Sequence, residues 1–247
     1  MSSPDRAAGI ATPRLVLVHG TRDLGSSFAP VAKLLAPLDV VYYDRRGWAV
    51  DAKPLPNPPA TLGHHVDDAL AALGRAGGII VGHSWGGHVA IAAAISRPDL
   101  VHAIGIYETA LTWTPWWPDG HAELIRQAAE RARLKTDGTP RQRRERALFV
   151  HEALETLTEV YSLDDLTVPA VAGYGEHSMH HFREGIETFA KITDSELEIV
   201  ESAAHMAHRE NPEGFAEIAR RAVAASSSHS TRRPITAEPQ ANETAAT

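Results

Sequence analysis

Ile79-Ile80-Val81-Gly82-His83-Ser84-Trp85-Gly86-Gly87 is the stretch on which the reading of the fold turns. Three apolar β-branched residues read as a buried strand, and the Ala-rich segment 87–95 reads as a helix. Gly-x-Ser-x-Gly is common by chance. A strand before it and a helix after it make it a sharp strand-to-helix turn that holds a serine hydroxyl above the sheet. Gly82 and Gly86 lack the side chains that would collide as the chain reverses. The helix start behind Ser84 brings N–H groups and the positive end of the dipole to that oxygen. The alternative is a tight turn with an inert serine.

Outward from this turn, short apolar runs alternate with amphipathic stretches. Residues 15–18, 40–43, 79–81, 103–107, 170–172 and 197–200 read as buried parallel strands. Residues 24–35, 62–73, 87–95, 181–192 and 212–224 read as helices, with Pro212 in a first helical turn. That order predicts a doubly wound α/β sheet. Residues 109–167 interrupt it with two helical patterns, 120–135 and 141–162, split by Asp137-Gly138-Thr139-Pro140, and read as an inserted helical cap. The expected organisation is a flexible 1–12, a core of 13–108 and 168–225, a cap of 109–167, and a disordered tail of 226–247.

The 247 residues include 24 Lys and Arg against 31 Asp and Glu, a net charge of −7, with no basic face for a phosphate backbone; nucleic acid is not an expected partner. The absence of cysteine excludes disulfides and thiolate chemistry and fits a reducing compartment. No apolar signal segment or membrane-length run appears, so the expectation is a cytoplasmic protein without membrane contact. Its partner is a small molecule, and its oligomeric state is left open.

The strand-turn-helix serine resembles the nucleophile elbow of the α/β-hydrolase superfamily, and the resemblance runs from about Arg14 to Ala224. Leu15-Val16-Leu17-Val18-His19-Gly20-Thr21 resembles the strand ending in His-Gly whose loop donates an oxyanion-hole N–H; the resemblance implies Thr21 and Trp85 as the two backbone donors. Tyr43-Asp44-Arg45-Arg46-Gly47 resembles the family's Asp-x-Arg-Gly turn, departs from it at Ala49 and Asp51, and reads as scaffold.

A serine hydroxyl needs a base. Among 14 histidines, His205 follows a final strand and a small-residue loop and precedes Asn211-Pro212-Glu213, which resembles the family's late loop with Ala204 in place of Gly. His208 is the near competitor. The usual acid position, after the strand before the last, holds Ser178 in Gly175-Glu176-His177-Ser178. The resemblance offers a second acid position, used in some branches including certain haloalkane dehalogenases, at the end of the strand after the elbow helix. Here that is Glu108, with Glu176 as the other candidate. Serine at the elbow, where dehalogenases carry Asp, speaks against dehalogenation.

Three of five tryptophans, Trp113, Trp116 and Trp117, open the cap and are expected either to roof an apolar pocket or to fasten the cap, with Leu111, Phe149 and Tyr161 as lesser pocket candidates. The run 141–146 reads as a solvated basic face rather than a recognition site for an anionic tail. His177, His180, His181 and the pair His64-His65 lack the carboxylates that would complete a metal site, so neither metal nor cofactor is expected. The resemblance implies a serine hydrolase cleaving a small-molecule ester through Ser84, His205 and Glu108. A lactonase, thioesterase, C–C hydrolase or lyase on the same triad, or a non-catalytic binding protein, are the alternatives.

Overall fold

The computed structural model describes residues 13–49, 59–158 and 161–230. The expected flexible N-terminus and residues 231–247 of the expected tail lie outside them. Six parallel strands, β1 (Arg14–Val18), β2 (Val40–Tyr42), β3 (Gly78–His83), β4 (Val101–Tyr107), β5 (Ala170–Gly175) and β6 (Glu196–Val200), form one sheet in the order β2-β1-β3-β4-β5-β6.

Side chains alternate across the sheet with period two, and each face is covered. Leu15, Leu17, Ile79, Val81, Ala103, Tyr107 and Val171 meet α1 (Ala29–Leu34) and α8 (Pro212–Ser230), chiefly through Phe215, Ile218 and Ala222. Val16, Val18, Ile80, Ile104, Ile106 and Ala172 meet α2 (Leu62–Leu73), α3 (Trp85–Ser96) and α6 (His180–Thr193). Burial on both faces is why the inner strands β1, β3, β4 and β5 are nearly unbroken apolar runs in the sequence, while the edge strands β2 and β6 are only partly buried. β1 sends its connection one way to β2, and the chain returns past it to β3. The carboxyl ends of β1 and β3 therefore flank the switch point where ligands bind in such sheets.

Between β4 and β5 lie α4 (His121–Leu134) and α5 (Pro140–Glu155), with a short 3-10 turn at Leu163–Asp165 and no strand among the described residues. The start of α5 is written locally. Thr139 Oγ1 accepts from Gln142 N–H at 3.3 Å, Gln142 Oε1 accepts from Thr139 N–H at 2.8 Å, and Pro140 fills the first turn. α7 (Ala207–Glu210) is a single turn ahead of α8.

Three helix readings need correction. Residues 24–35 divide into a 3-10 turn (Gly25–Phe28) and α1, because Pro30 lacks an N–H and suits the first turn of a new helix. The second pattern of the excursion ends at Glu155 rather than at residue 162. There the helix ladder gives way to 3-10-type bonds, with Leu157 and Thr158 N–H donating to the Leu154 and Glu155 carbonyls at 3.1 Å. α8 continues to Ser230, where a tail was expected from residue 226; its Ser226 and Ser227 hydroxyls turn back onto the Val223 carbonyl instead of opposing the helix. No described helix is long and apolar enough to cross a membrane.

Candidate active site

At the end of β3, Ser84 takes φ 53° and ψ −123°, a region that costs a non-glycine residue about 1–3 kcal/mol. Its N–H donates to the Tyr107 carbonyl at 2.7 Å, and its own carbonyl accepts from Gly87 N–H at 2.9 Å and Thr109 Oγ1 at 3.1 Å. A Cβ on Gly82 would stand 2.2 Å from the Gly86 carbonyl oxygen, and one on Gly86 2.2 Å from that of Val18, so both must be glycine. Trp85 is the first residue of α3, whose opening N–H groups have no partner within the helix.

Register accounts for the placement of Glu108. His83 pairs with Tyr107 across β3 and β4, so Ser84 and Glu108 are the next residues on adjacent strands and leave the sheet side by side. Glu108 also has a positive φ of 47°, held by its N–H donating to Gly173 at 3.0 Å. Its buried carboxylate brings Oε2 to 2.7 Å from His205 Nδ1, while Oε1 accepts from Gly175 N–H at 3.2 Å and from Ser178 Oγ. Ser178, standing where the resemblance leads one to expect Asp, is thus a neutral donor to a carboxylate supplied by the neighbouring strand. Sequence reasoning noted the serine and missed this role.

The loop bearing His205 is pinned from below. The His205 carbonyl accepts from His83 Nε2 at 2.6 Å, the Ala204 carbonyl accepts from the Tyr107 hydroxyl at 2.6 Å, and Phe182 stacks on the imidazole at 5.1 Å. Ser84 and His205 both face a pocket of about 460 Å³, together with Thr21, Trp85, His88 and Phe149. No hydrogen bond joins Ser84 Oγ to the His205 ring among the described residues; such bonds commonly tighten only with substrate bound.

The competing residues lie elsewhere. His208 is fully buried, 2.9 Å from Asp23 Oδ2, and is not on the pocket wall. Glu176 is exposed and accepts from Ser202 N–H at 2.9 Å. The tryptophans are a correction. None of Trp113, Trp116 and Trp117 lines the pocket; they fasten the excursion to the core. Trp117 is buried against α6 at Gly185, where a Cβ would come within 2.6 Å of its ring, and its Nε1 donates to His121 Nδ1 at 2.9 Å. Trp113 packs on Tyr161 and His88, Trp116 on Trp117. Leu111 is core and Tyr161 stands behind His88, at 2.9 Å from its Nδ1, leaving Phe149 of the lesser candidates on the wall.

A second residue missed in the sequence is Glu152 of α5. It is buried, receives Arg45 Nη1 at 2.7 Å, Arg45 Nη2 at 3.2 Å, Trp48 Nε1 at 2.8 Å and Thr21 Oγ1 at 2.5 Å, and so ties the excursion to two core loops. Arg45, fully buried, also donates to the His19 carbonyl at 2.8 Å and lies over the Trp85 ring. The scaffold reading of its turn stands, with the addition that it positions the loop of Thr21. The signal was Leu148, Glu152 and Thr156 at i, i+4 and i+8, a carboxylate on the buried stripe of a helix.

Burial holds His88 and His121 down to about 3, His121 further by the nearby His181 and His205, so both present neutral rings to the pocket at pH 7. Among the described residues, Asp23, His83 and His208 come close enough together to hold an ion. The Asp23 carboxylate is already engaged by Ser27 Oγ at 2.9 Å, His208 and Arg209, which fits an ion pair rather than a metal centre. His64 instead caps α2, receiving Thr61 N–H at 3.2 Å, His180 pairs with Glu184 at 3.0 Å, and His181 stacks on His121.

A parallel sheet with a serine turn at its switch point is the architecture of the α/β hydrolases. The chain belongs to the alpha/beta hydrolase family, whose model matches residues 15–218. It resembles RutD of Caulobacter vibrioides, provisionally named a carbamate hydrolase, at 36% identity over 89 residues. That match spans 34% of this chain and about a third, 33%, of the relative's length. Among solved structures, a thermophilic esterase from Thermogutta terrifontis superposes with a TM-score of 0.67 at 21% identity, covering 87% of this chain and 90% of the esterase. E-2-(acetamidomethylene)succinate hydrolase gives 0.65 at 20% identity over 86% and 91%.

Proposed function

We propose that this chain is a serine hydrolase that opens a small-molecule carboxylic ester, or a related acyl bond, through an acyl-enzyme. The observation that carries the reading is the 2.7 Å contact between His205 Nδ1 and the buried Glu108 carboxylate, on a ring that shares a pocket with Ser84. Glu108 fixes the tautomer with the proton on Nδ1, leaving Nε2 free to take the Ser84 proton as Oγ attacks the carbonyl carbon. The N–H groups of Thr21 and Trp85 receive the oxyanion. His205 passes its proton to the departing alcohol, then takes one from water as the water oxygen attacks the acyl carbon, and returns it to Ser84 Oγ when the acid leaves. Throughout, Glu108 stays ionised and balances the imidazolium. The same attack would open a carbamate, the bond in the RutD name, so an aryl carbamate belongs beside the esters in any panel.

Labelling with a fluorophosphonate probe, mapped by peptide mass spectrometry, and turnover of short to long p-nitrophenyl esters test the proposal. Label at Ser84 with ester turnover is expected, both lost in Ser84→Ala at unchanged Tm. Wild-type turnover in that variant, or folded protein that neither labels nor turns over ester but gains Tm with a ligand, would overturn it.

A further inference from the structure

Beside the pocket of Ser84 lies a second cleft of about 500 Å³ between α4 and α5, and the two share Arg22, Ala128 and Phe149 on their walls. The cleft is cationic: Arg22, Arg131, Lys135 and Arg146 line it with one carboxylate, Glu145. That carboxylate is engaged from outside by Arg141 at 2.6 Å, and Arg146 faces Asp137 at 3.6 Å. Arg22, Arg131 and Lys135 have no carboxylate within 4.0 Å among the described residues, although the chain as a whole carries −7. The wall of the Ser84 pocket likewise includes no Asp or Glu. Gathering like charges in one concavity of an acidic protein is unfavourable in itself and focuses a positive potential there. The run 141–146, read from the sequence as a solvated face, is in fact divided, with Arg146 turned into the cleft and Arg141 holding Glu145.

We infer that the substrate carries an anionic group, a carboxylate or a phosphate, which the cleft holds while the scissile carbonyl lies at Ser84. This rests on the hydrolysis proposed above and narrows its substrate class. Arg22 stands at the junction, next to the oxyanion residue Thr21, with its guanidinium 4.0 Å over the Phe149 ring, so it meets a ligand spanning both spaces. Phe149 and Ala128 offer apolar contact to the linker between the two ends of such a molecule. Guanidinium groups suit either anion as bidentate donors, and Lys135 adds a point charge.

The test compares p-nitrophenyl monoesters of six- to ten-carbon dicarboxylic acids with their methyl-capped, uncharged counterparts on the full chain. The expected kcat/KM ratio favours the anionic ester, shrinks with added salt, and falls about 10–100-fold in Arg131→Ala/Lys135→Ala. A ratio near one, or one unmoved by both salt and the substitutions, overturns the inference. Binding of adipate to the Ser84→Ala protein by calorimetry, with inorganic phosphate as competitor, separates this failure from that of the hydrolase reading. Adipate or phosphate binding weakened by the double substitution supports the anion site even where no ester is turned over. Ester turnover with neither anion bound overturns the anion site alone.

Discussion

Two histidine–carboxylate pairs stand on either side of His83, Glu108 with His205 and Asp23 with His208, and their separations are almost the same, 2.7 and 2.9 Å. The His83 ring lies 4.8 Å from that of His205 and 4.5 Å from that of His208. What differs is the ring nitrogen engaged, Nδ1 of His205 and Nε2 of His208, and the surroundings. His205 is 37% exposed and faces the Ser84 pocket; His208 is 0% exposed, and its carboxylate also carries Arg209. A paired histidine by itself therefore identifies no chemistry. On the proposed mechanism, access to the pocket that also holds Ser84 separates a reacting imidazole from one that fastens the 3-10 turn after β1 to α7.

The sharpest way to break that contrast is to remove each carboxylate's charge. Glu108→Gln is expected to lower kcat about 10⁴-fold, as loss of a triad acid does. The next largest effect falls on the excursion. Glu152→Ala leaves Arg45 buried and unpaired, and thermal unfolding is expected to show a loss of about 3–5 kcal/mol. Asp23→Asn is expected to cost about 2–3 kcal/mol of stability, because Arg209 is half exposed and keeps its hydration, while kcat changes only a few-fold.

A smaller, graded effect follows from the neutral histidines. Burial, reinforced by Arg45, lowers His19 to about 3 and His65 to about 2, and burial lowers His88 to about 3. Each ring binds its proton more readily unfolded than folded. Its contribution is therefore complete above the ordinary histidine value of 6.5 and is lost as the pH falls from there toward 3. For Asp23, burial alone would raise the carboxyl, but hydrogen bonds from His208, the Leu24 N–H and Ser27 outweigh it and hold it well below the ordinary range. Its contribution holds above about pH 4 and fades below. Urea unfolding at pH 7.5, 6 and 5 should show stability falling with pH. His65→Leu, which removes two buried nitrogens without partners, should flatten that fall. The smallest effect belongs to Glu176→Gln, whose wild-type-like kcat would separate it from Glu108 in a single assay.

The inner strands were legible because burial on both faces leaves them as nearly pure apolar runs, and the elbow because Gly82 and Gly86 have no alternative in so tight a turn. Glu108 was legible from its place at a strand end, but its support was not. Ser178 looked like a missing acid until the adjacency of β4 and β5 put its hydroxyl on Glu108. Three indoles in five residues announce burial without saying against what, and Gly185, which makes room for Trp117, lies 68 residues away in the chain. The basic run of α5 read as a face because a helix pattern shows which side is polar and not that α4 brings Arg131 and Lys135 to the same cleft.

The rate of fluorophosphonate labelling at Ser84, compared among wild type, Glu108→Gln and Asp23→Asn at pH 7.5, tests the distinction between the two pairs without reference to any substrate. The account predicts labelling slowed by orders of magnitude in Glu108→Gln and altered only a few-fold in folded Asp23→Asn. Wild-type labelling in Glu108→Gln, or equal slowing in both variants, would contradict it.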